Sequence, residues 1–451
     1  MSEETYDQEY RPAAHSFAPC PTFSGTFAMM PASYRRLLSV ALRSLTLGCK
    51  FVLVFFLARL LNPEDLGLYG LMVVTVSYAL YVLGFDFYTY TTRELLKYDR
   101  SRWGEFLKSQ VALTAVLYAL AMPGLSILFY QDLLPWTLMS WFFCLLVLEH
   151  LNQELSRLLV AVSEQLTVSV MLFVRSGAWA ILVTALMYYD VDYRTLSMVL
   201  GAWLIGGGVA MVIALHKLSR LNIGGWRADV DWRWIATGLK VAVPLVIATL
   251  ALRGISTVDR YWFEHTAGLR YLGAYVLFAG LSAALISFLD AGVFSFIYPN
   301  MIKLHHDGND DGFNTEFKRL AIHTIVVSVL FGFIALLAIG PILEWLGKDL
   351  YIQEKYLFPW VLAGSVMSGL SMIPHYGLYA KGLDSPIIRS HLAGFIVFCG
   401  LAWVLVDLIG AIAIPVAVLA AQVLILCWKT LSYFYDTRCA RQKTYQKYVR
   451  K

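Results

Sequence analysis

The stretch Arg253–Tyr275 reads RGISTVDRYWFEHTAGLRYLGAY, and its reading decides the fold. It opens inside an apolar run of membrane-crossing length and carries Arg253, Asp259 and Arg260 into or beside that run. It turns at Thr266-Ala267-Gly268 and enters a second apolar run at Tyr271. A charged side chain at mid-bilayer costs roughly 2.5–3.5 kcal/mol on insertion scales, so such residues face a bundle interior or a wet cavity. Arg253 and Arg260 are two helical turns apart, which places them on one face about 10 Å from each other. The stretch predicts a cationic helix face inside a membrane bundle.

The remaining sequence extends that bundle in both directions. Of 451 residues, 59% are hydrophobic and 15% charged, with a mean hydropathy of +0.62. Apolar windows of about 20 residues, enough to cross a bilayer core, recur with short gaps. Period-two alternation is absent and open sheet edges cannot face lipid, so the spans read as helices. No segment outside the membrane is large enough to be a binding module, and no nucleic-acid partner is expected. The six cysteines include no CxxC and no metal-ligand spacing, so neither a disulfide framework nor a metal site is predicted.

About twelve spans are expected, six between Leu37 and Leu215 and six between Trp234 and Phe434. The seventh reads as Trp234–Thr257, the ninth as Leu320–Leu343, and the last two as Ile388–Asp407 and Leu408–Phe434. The reading gives a disordered N-terminal tail (1–33), a first lobe (34–216), a connector (217–233), a second lobe (234–434) and a basic tail (435–451). Met29 or Met30 is an alternative start within the first of these. The longest connection, Tyr298 to Arg319, contains HHDGNDDG, which reads as a flexible loop rather than a metal site.

Charge orients the set. Arg93, Lys97, Arg100, Arg102 and Lys108 follow the second span, Lys217, Arg220, Arg227 and Arg233 the sixth. The alternate connections carry Glu64 and Asp65, Asp132, then Asp190 and Asp192. Positive loops stay cytoplasmic, which predicts both termini inside a cytoplasmic (inner) membrane.

The two halves echo each other in parallel order. Leu66-Gly67-Leu68-Tyr69 returns as Leu272-Gly273-Ala274-Tyr275, Glu105-Phe106 as Glu316-Phe317, and Pro135-Trp136 as Pro359-Trp360. Arg43 and Lys50 in the first span match Arg253 and Arg260 in the seventh, and Asp86 matches Asp290. The expected fold is all-α and polytopic, two parallel six-helix repeats around a central cavity. In transporters so built, the substrate site lies between the repeats and access alternates as one half rocks against the other. Pro123, Gly206-Gly207-Gly208, Pro244, Pro374 and Pro415 read as kink positions for that motion.

At ARLLNPEDLGLYGL (Ala58–Leu71), TTREL (Thr91–Leu95) and DRYW…LGAY (Asp259–Tyr275) the chain resembles the polysaccharide or O-antigen flippases of the MOP exporter superfamily. That superfamily also holds the multidrug MATE transporters and the lipid II flippases. The resemblance implies no enzymatic activity. It implies export of a polyprenyl-pyrophosphate-linked oligosaccharide across the lipid bilayer, with a glycan polymerase and chain-length proteins as possible partners.

The residues suit such a cargo. Arg43, Lys50, Arg175, Arg253 and Arg260 are candidate phosphate ligands lining the cavity. Tyr78, Tyr81, Tyr88, Tyr261, Trp262 and Tyr376 are candidate sugar-stacking rings, with packing as the competing role. Structural pairing competes for the cations: Arg43 and Lys50 with Asp86, Arg253 and Arg260 with Asp259 or Asp290, Arg175 with Glu149 or Glu154. Asp86, Glu149, His150, Glu154 and Asp290 are alternatively carriers of a coupling H+ or Na+, the only cofactor in view. A drug/cation antiporter of the same superfamily is the main rival, and would want an acidic cavity. A membrane glycan polymerase or glycosyltransferase is disfavoured, because no external loop passes about 20 residues.

Overall fold

The computed structural model describes residues 31–449, with the side chains of Ala32 and of residues 437–449 outside the description. Residues 1–30 of the expected N-terminal tail, and the side chains of most of the basic C-terminal tail, therefore lie outside the described residues.

The first connection shows how sequence sets each reversal. Helix α1 (Ala32–Leu60) stops before Asn62-Pro63. Proline has no N–H to lose at the first helical position, so α2 (Pro63–Gly84) starts there with Glu64 and Asp65 in its first turn. Phe85 and Asp86, both left-handed (φ 51° and 48°), break α2 from α3 (Tyr88–Leu95). There follow α4 (Trp103–Leu125), α5 (Ile127–Tyr130) and α6 (Met139–Ala161). Next, α7 (Gln165–Phe173) runs into α8 (Trp179–Tyr189) through a π-helical turn over Val174–Ala178, and α9 (Leu196–Ser219) completes the first half.

The second half opens with α10 (Trp232–Ala267). Then α11 (Leu269–Leu289) joins α12 (Ser295–His306) through a second π turn over Asp290–Phe294. The rest are α13 (Asp310–Leu346), α14 (Asp349–Gln353), α15 (Phe358–Ala380), α16 (Asp384–Ile409) and α17 (Ala413–Val449). Helix α16 ends at Gly410, whose φ of 63° with ψ of −147° is a conformation essentially reserved for glycine.

Ten stretches of the described residues are long and apolar enough to cross a membrane, which makes this an all-α polytopic membrane protein. The expected count was twelve. Helix α6 is 23 residues long, but Glu149, His150, Glu154 and Arg157 dilute its apolar character. Helices α16 and α17 fall in one apolar stretch, Asp384–Asp436, cut at Gly410.

The helix of the seventh span runs past its expected apolar limit at Thr257 to Ala267, ending at the expected turn Thr266-Ala267-Gly268. One expectation needs correction. The HHDGNDDG segment is not a long flexible loop: α12 ends at His306, and Asn309 caps α13 by accepting the Gly312 N–H at 2.9 Å. Cap chemistry consumed the residues that had read as a loop. Among the described residues no group of histidines, cysteines and acids is placed to hold a metal.

Helix packing in the two halves runs in parallel. Helix α1 packs on α7 and α8 as α10 packs on α16; α6 on α9 as α15 on α17; α2 on α6 as α11 on α15. The halves meet chiefly where α2 lies against α11 and α10. That seam is tightest at the end carrying Glu64, the far end, opposite the basic end that carries Arg100, Arg102 and Lys217. A Cβ added to Gly67 would sit 2.7 Å from the Leu269 carbonyl oxygen, and one on Gly273 would overlap the Pro63 carbonyl. Glycine at both positions lets two backbones touch.

Candidate functional site

Charged residues meet around α6, which carries Glu149, Glu154 and Arg157, drawing in Asp86 from the break after α2, Arg175 from the π turn after α7, and Arg253 of α10. Asp86 sits in the left-handed break after α2, where its carboxylate leaves the helix and meets Arg157 of α6 at 3.8 Å. Thr249 and Arg253 of α10 face the same carboxylate. Arg157 also pairs with Glu154 at 2.6 Å and lies over the Tyr88 ring, 3.5 Å from its centroid. Gln110 of α4 donates to the other Glu154 oxygen at 2.5 Å. Tyr118 and His150 Nδ1 are 3.0 Å apart on the same side of α6. Arg157 thus joins two buried or half-buried acids to an aromatic face.

One turn earlier, buried Glu149 pairs with Arg175 at 3.2 Å and accepts from Trp203 Nε1 at 2.8 Å. Arg175 belongs to the first π turn, where Trp179 Nε1 donates to its carbonyl at 2.7 Å. Lys50 of α1 stands in the electrostatic field of both Arg175 and Glu149. Arg43, two turns back, donates to Ser169 of α7 at 3.2 Å. Arg157 and Arg175 both line a cavity of about 310 Å³, with Tyr88, Thr92, Gln153 and Ser156 supplying further polar groups.

Across the seam, Arg253 is solvent-accessible, with its guanidinium 5.8 Å from the Tyr81 ring centroid. It lies in reach of both Asp86 and Asp290. Arg260 behaves differently. It is 3.8 Å from Asp259 and donates to the Ser256 carbonyl, while Asp259 accepts from Tyr275 at 2.8 Å. Tyr275 in turn stacks on Phe263 at 4.5 Å.

The five cations singled out from sequence therefore fall into two sets. Arg175 and Arg260 take acid partners, Glu149 and Asp259, as structural pairing foresaw. Arg43, Lys50 and Arg253 hold no carboxylate within 4 Å among the described residues. Asp86 is claimed by Arg157 rather than by Arg43 or Lys50. Arg157 is the residue the sequence reading passed over. Its signal was present, since it lies three residues after Glu154 inside an apolar helix, one turn along the same face. Of the aromatics, Tyr81 and Tyr88 face cations, Tyr261 is tied to Thr75 at 2.5 Å, and Trp262 packs edge-on to Phe398.

The far end is closed by contacts between the halves. Tyr351 donates to the Ala58 carbonyl at 3.3 Å, Lys348 Nζ donates to the Leu61 carbonyl, and Arg270 approaches Glu64 at 4.0 Å. Burial holds the Lys348 ammonium below its ordinary value, with Glu64 acting weakly the other way.

No protein-family model matches the chain, and no relative among curated proteins matches it. Solved structures do. A multidrug-resistance MATE family transporter of the MOP superfamily in an inward-facing conformation overlays with a TM-score of 0.71 at 11% identity, covering 92% of this chain and 99% of its own. The lipid II flippase MurJ in an inward closed conformation overlays at 0.68 with 14% identity, covering 89% and 87%. An outward-facing MATE transporter of the same superfamily overlays less well, at 0.56 with 12% identity, over 91% and 95%. The chain shares the fold of these solved structures, and at these identities the likeness is one of fold.

Proposed function

We propose that the protein is an alternating-access exporter, not an enzyme. On this reading it has twelve spans in two six-helix lobes (34–216 and 234–434) joined by the connector 217–233. The parallel packing of the two halves supports the repeat, and the basic end supports cytoplasmic termini in the inner membrane. The cargo is an anionic lipid-linked saccharide of the polyprenyl-pyrophosphate type, carried to the far side for a polymerase and its chain-length partners. The observation that carries this reading is the set Arg43, Lys50 and Arg253. These are accessible cations inside membrane helices with no carboxylate within 4 Å among the described residues. An unpaired charge in such a place calls for a ligand of opposite sign.

A second reading has its own support. Asp86 and Asp290 face the same space as Arg253, and the highest of the three overlays reported above is on a multidrug transporter. Those observations favour a drug/cation antiporter, in which the acids meet cargo or a coupling H+ or Na+. On fold likeness alone this reading stands ahead of the first; the unpaired cations weigh the other way.

The deciding experiment is surface-glycan display in a deletion strain, with the pool of lipid-linked repeat units measured alongside. Lost display with repeat units trapped on the cytoplasmic leaflet supports the flippase. Normal display with increased retention of cationic dyes supports the antiporter. Single repeat units reaching the outer face without polymer would point to a polymerase and overturn both.

A further inference from the structure

A second cluster of ionisable side chains lies outside the cavity, within the second half. Lys429 of α17 is 1% exposed and His391 of α16 is 5% exposed. His375 of α15 lays its ring parallel to that of His391 with centroids 6.2 Å apart, and both rings stand in the field of Lys429. Nδ1 of His375 is buried without a hydrogen-bond partner, and the buried ring nitrogens of His391 have no close partner beyond the approach of the Ala248 backbone.

The surroundings supply no free acid. Among the described residues Lys429 has no carboxylate within 4 Å, and Asp436, two turns along α17, is taken by Lys381 at 3.1 Å. Besides His375, α15 presents Tyr376 and Tyr379, both packed against the His375 ring, while α10 approaches with its backbone at Ala248. An uncompensated buried ammonium is costly, by several kcal/mol in real proteins. Two positive charges here would also repel at close range. The cluster therefore accommodates three neutral bases or a single proton among them.

A route leads from it to the cavity. Tyr376 meets His375 edge-on at 5.5 Å, stacks on Tyr298 at 5.0 Å and lies in the field of Asp290, which faces Arg253. Pro374, immediately before His375, leaves a carbonyl of α15 without its helical donor and gives that helix a place to bend. The acids of the first half are less suited to change charge during a cycle. Glu149 is held by Arg175, and Glu154 and Asp86 by Arg157.

We propose that His375, His391 and Lys429 form the proton-carrying site of the transport cycle, built from bases and holding one proton among three groups. Loading forms one N–H bond on the cluster and breaks one O–H bond, that of protonated Asp290 or of hydronium reaching it past Tyr376. The proposal rests on the transporter reading, but its test needs no cargo.

That test is proton uptake by the purified full-length protein, titrated from alkaline to acid pH in sodium gluconate. Wild type is compared with Lys429→Met, which keeps length and apolar fit, and with His375→Asn and His391→Asn. The expected result is loss of about one bound proton per chain in Lys429→Met, with a shifted uptake midpoint in each histidine variant. Unchanged uptake in all three overturns the proposal. So does wild-type uptake that appears only when chloride replaces gluconate, which would make the cluster an anion site. Monodisperse elution of each variant guards against misfolding. Wild-type uptake in a protein that moves neither glycan nor dye would leave the cluster standing and remove the transport reading.

Discussion

Arg157 and Arg253 look alike in the sequence, yet the structure gives them opposite duties. Arg157 holds two acids and an aromatic face. Removing one partner of a buried ion pair leaves the other charge uncompensated, at about 3–5 kcal/mol. Its side chain is 18% exposed, so the lower end of that range applies. Arg157→Ala is expected to lower the thermal midpoint by several degrees whatever its effect on transport. Arg253 makes no ion pair, so Arg253→Ala should change stability by less than about 0.5 kcal/mol and abolish export. A thermal-shift series beside the transport assay checks both. If Arg253→Ala exports normally, the cationic-cavity mechanism fails. Arg260→Ala is the poorer probe, because it also orphans Asp259. The two-turn spacing of Arg253 and Arg260 and the pairing of Arg260 with Asp259 were legible in the sequence, but the convergence of Asp86 on Arg253 was not. Asp259 adjoins Arg260 in sequence, whereas Asp86 and Asp290 reach Arg253 only through the fold.

At the scale of the element, the two π turns each hold a candidate residue, Arg175 and Asp290. A π turn inserts one residue into a helix and is often found at functional sites. Hydrophobic periodicity over an apolar span cannot reveal it, because every face of such a helix is apolar. Nor does it distinguish among Gly206-Gly207-Gly208, expected kink positions that lie inside α9. Gly206 and Gly207 are packed against neighbours and Gly208 is not. A Cβ on Gly206 would sit 2.7 Å from Trp179 and 3.0 Å from the Val174 carbonyl in the π turn, while one on Gly208 meets nothing within 4 Å. Gly206→Ala is therefore expected to cost about 1–3 kcal/mol as overpacking and to displace Arg175 from Glu149. Gly208→Ala should instead stabilise the helix by roughly 0.5–1 kcal/mol. Thermal unfolding of the two variants in one detergent separates them. Equal behaviour of both would sink the packing assignment.

For the whole molecule, the paired sequence markers Leu66-Gly67 and Leu272-Gly273 lie near helix starts, where backbone contact tolerates no side chain. These same glycines close the far end. Backbone at Gly67 meets Leu269 and cannot yield as a flexible side chain would, so Gly67→Val should drive the halves apart there. Spin labels at Gln131→Cys and Glu344→Cys, in a background without the native cysteines, report the opening as a longer distance population. An unchanged distribution would show that the seal lies elsewhere. Lys348 adds a pH dependence of definite sign. Its ammonium is held below the ordinary 10.5 in the closed form, so the closed form binds fewer protons than an open one that hydrates it. Closure should strengthen as pH rises through the interval between that lowered value and 10.5, and the gain should vanish as pH falls below it. In Lys348→Met the label distances should lose this alkaline shift, while the response to Gly67→Val remains.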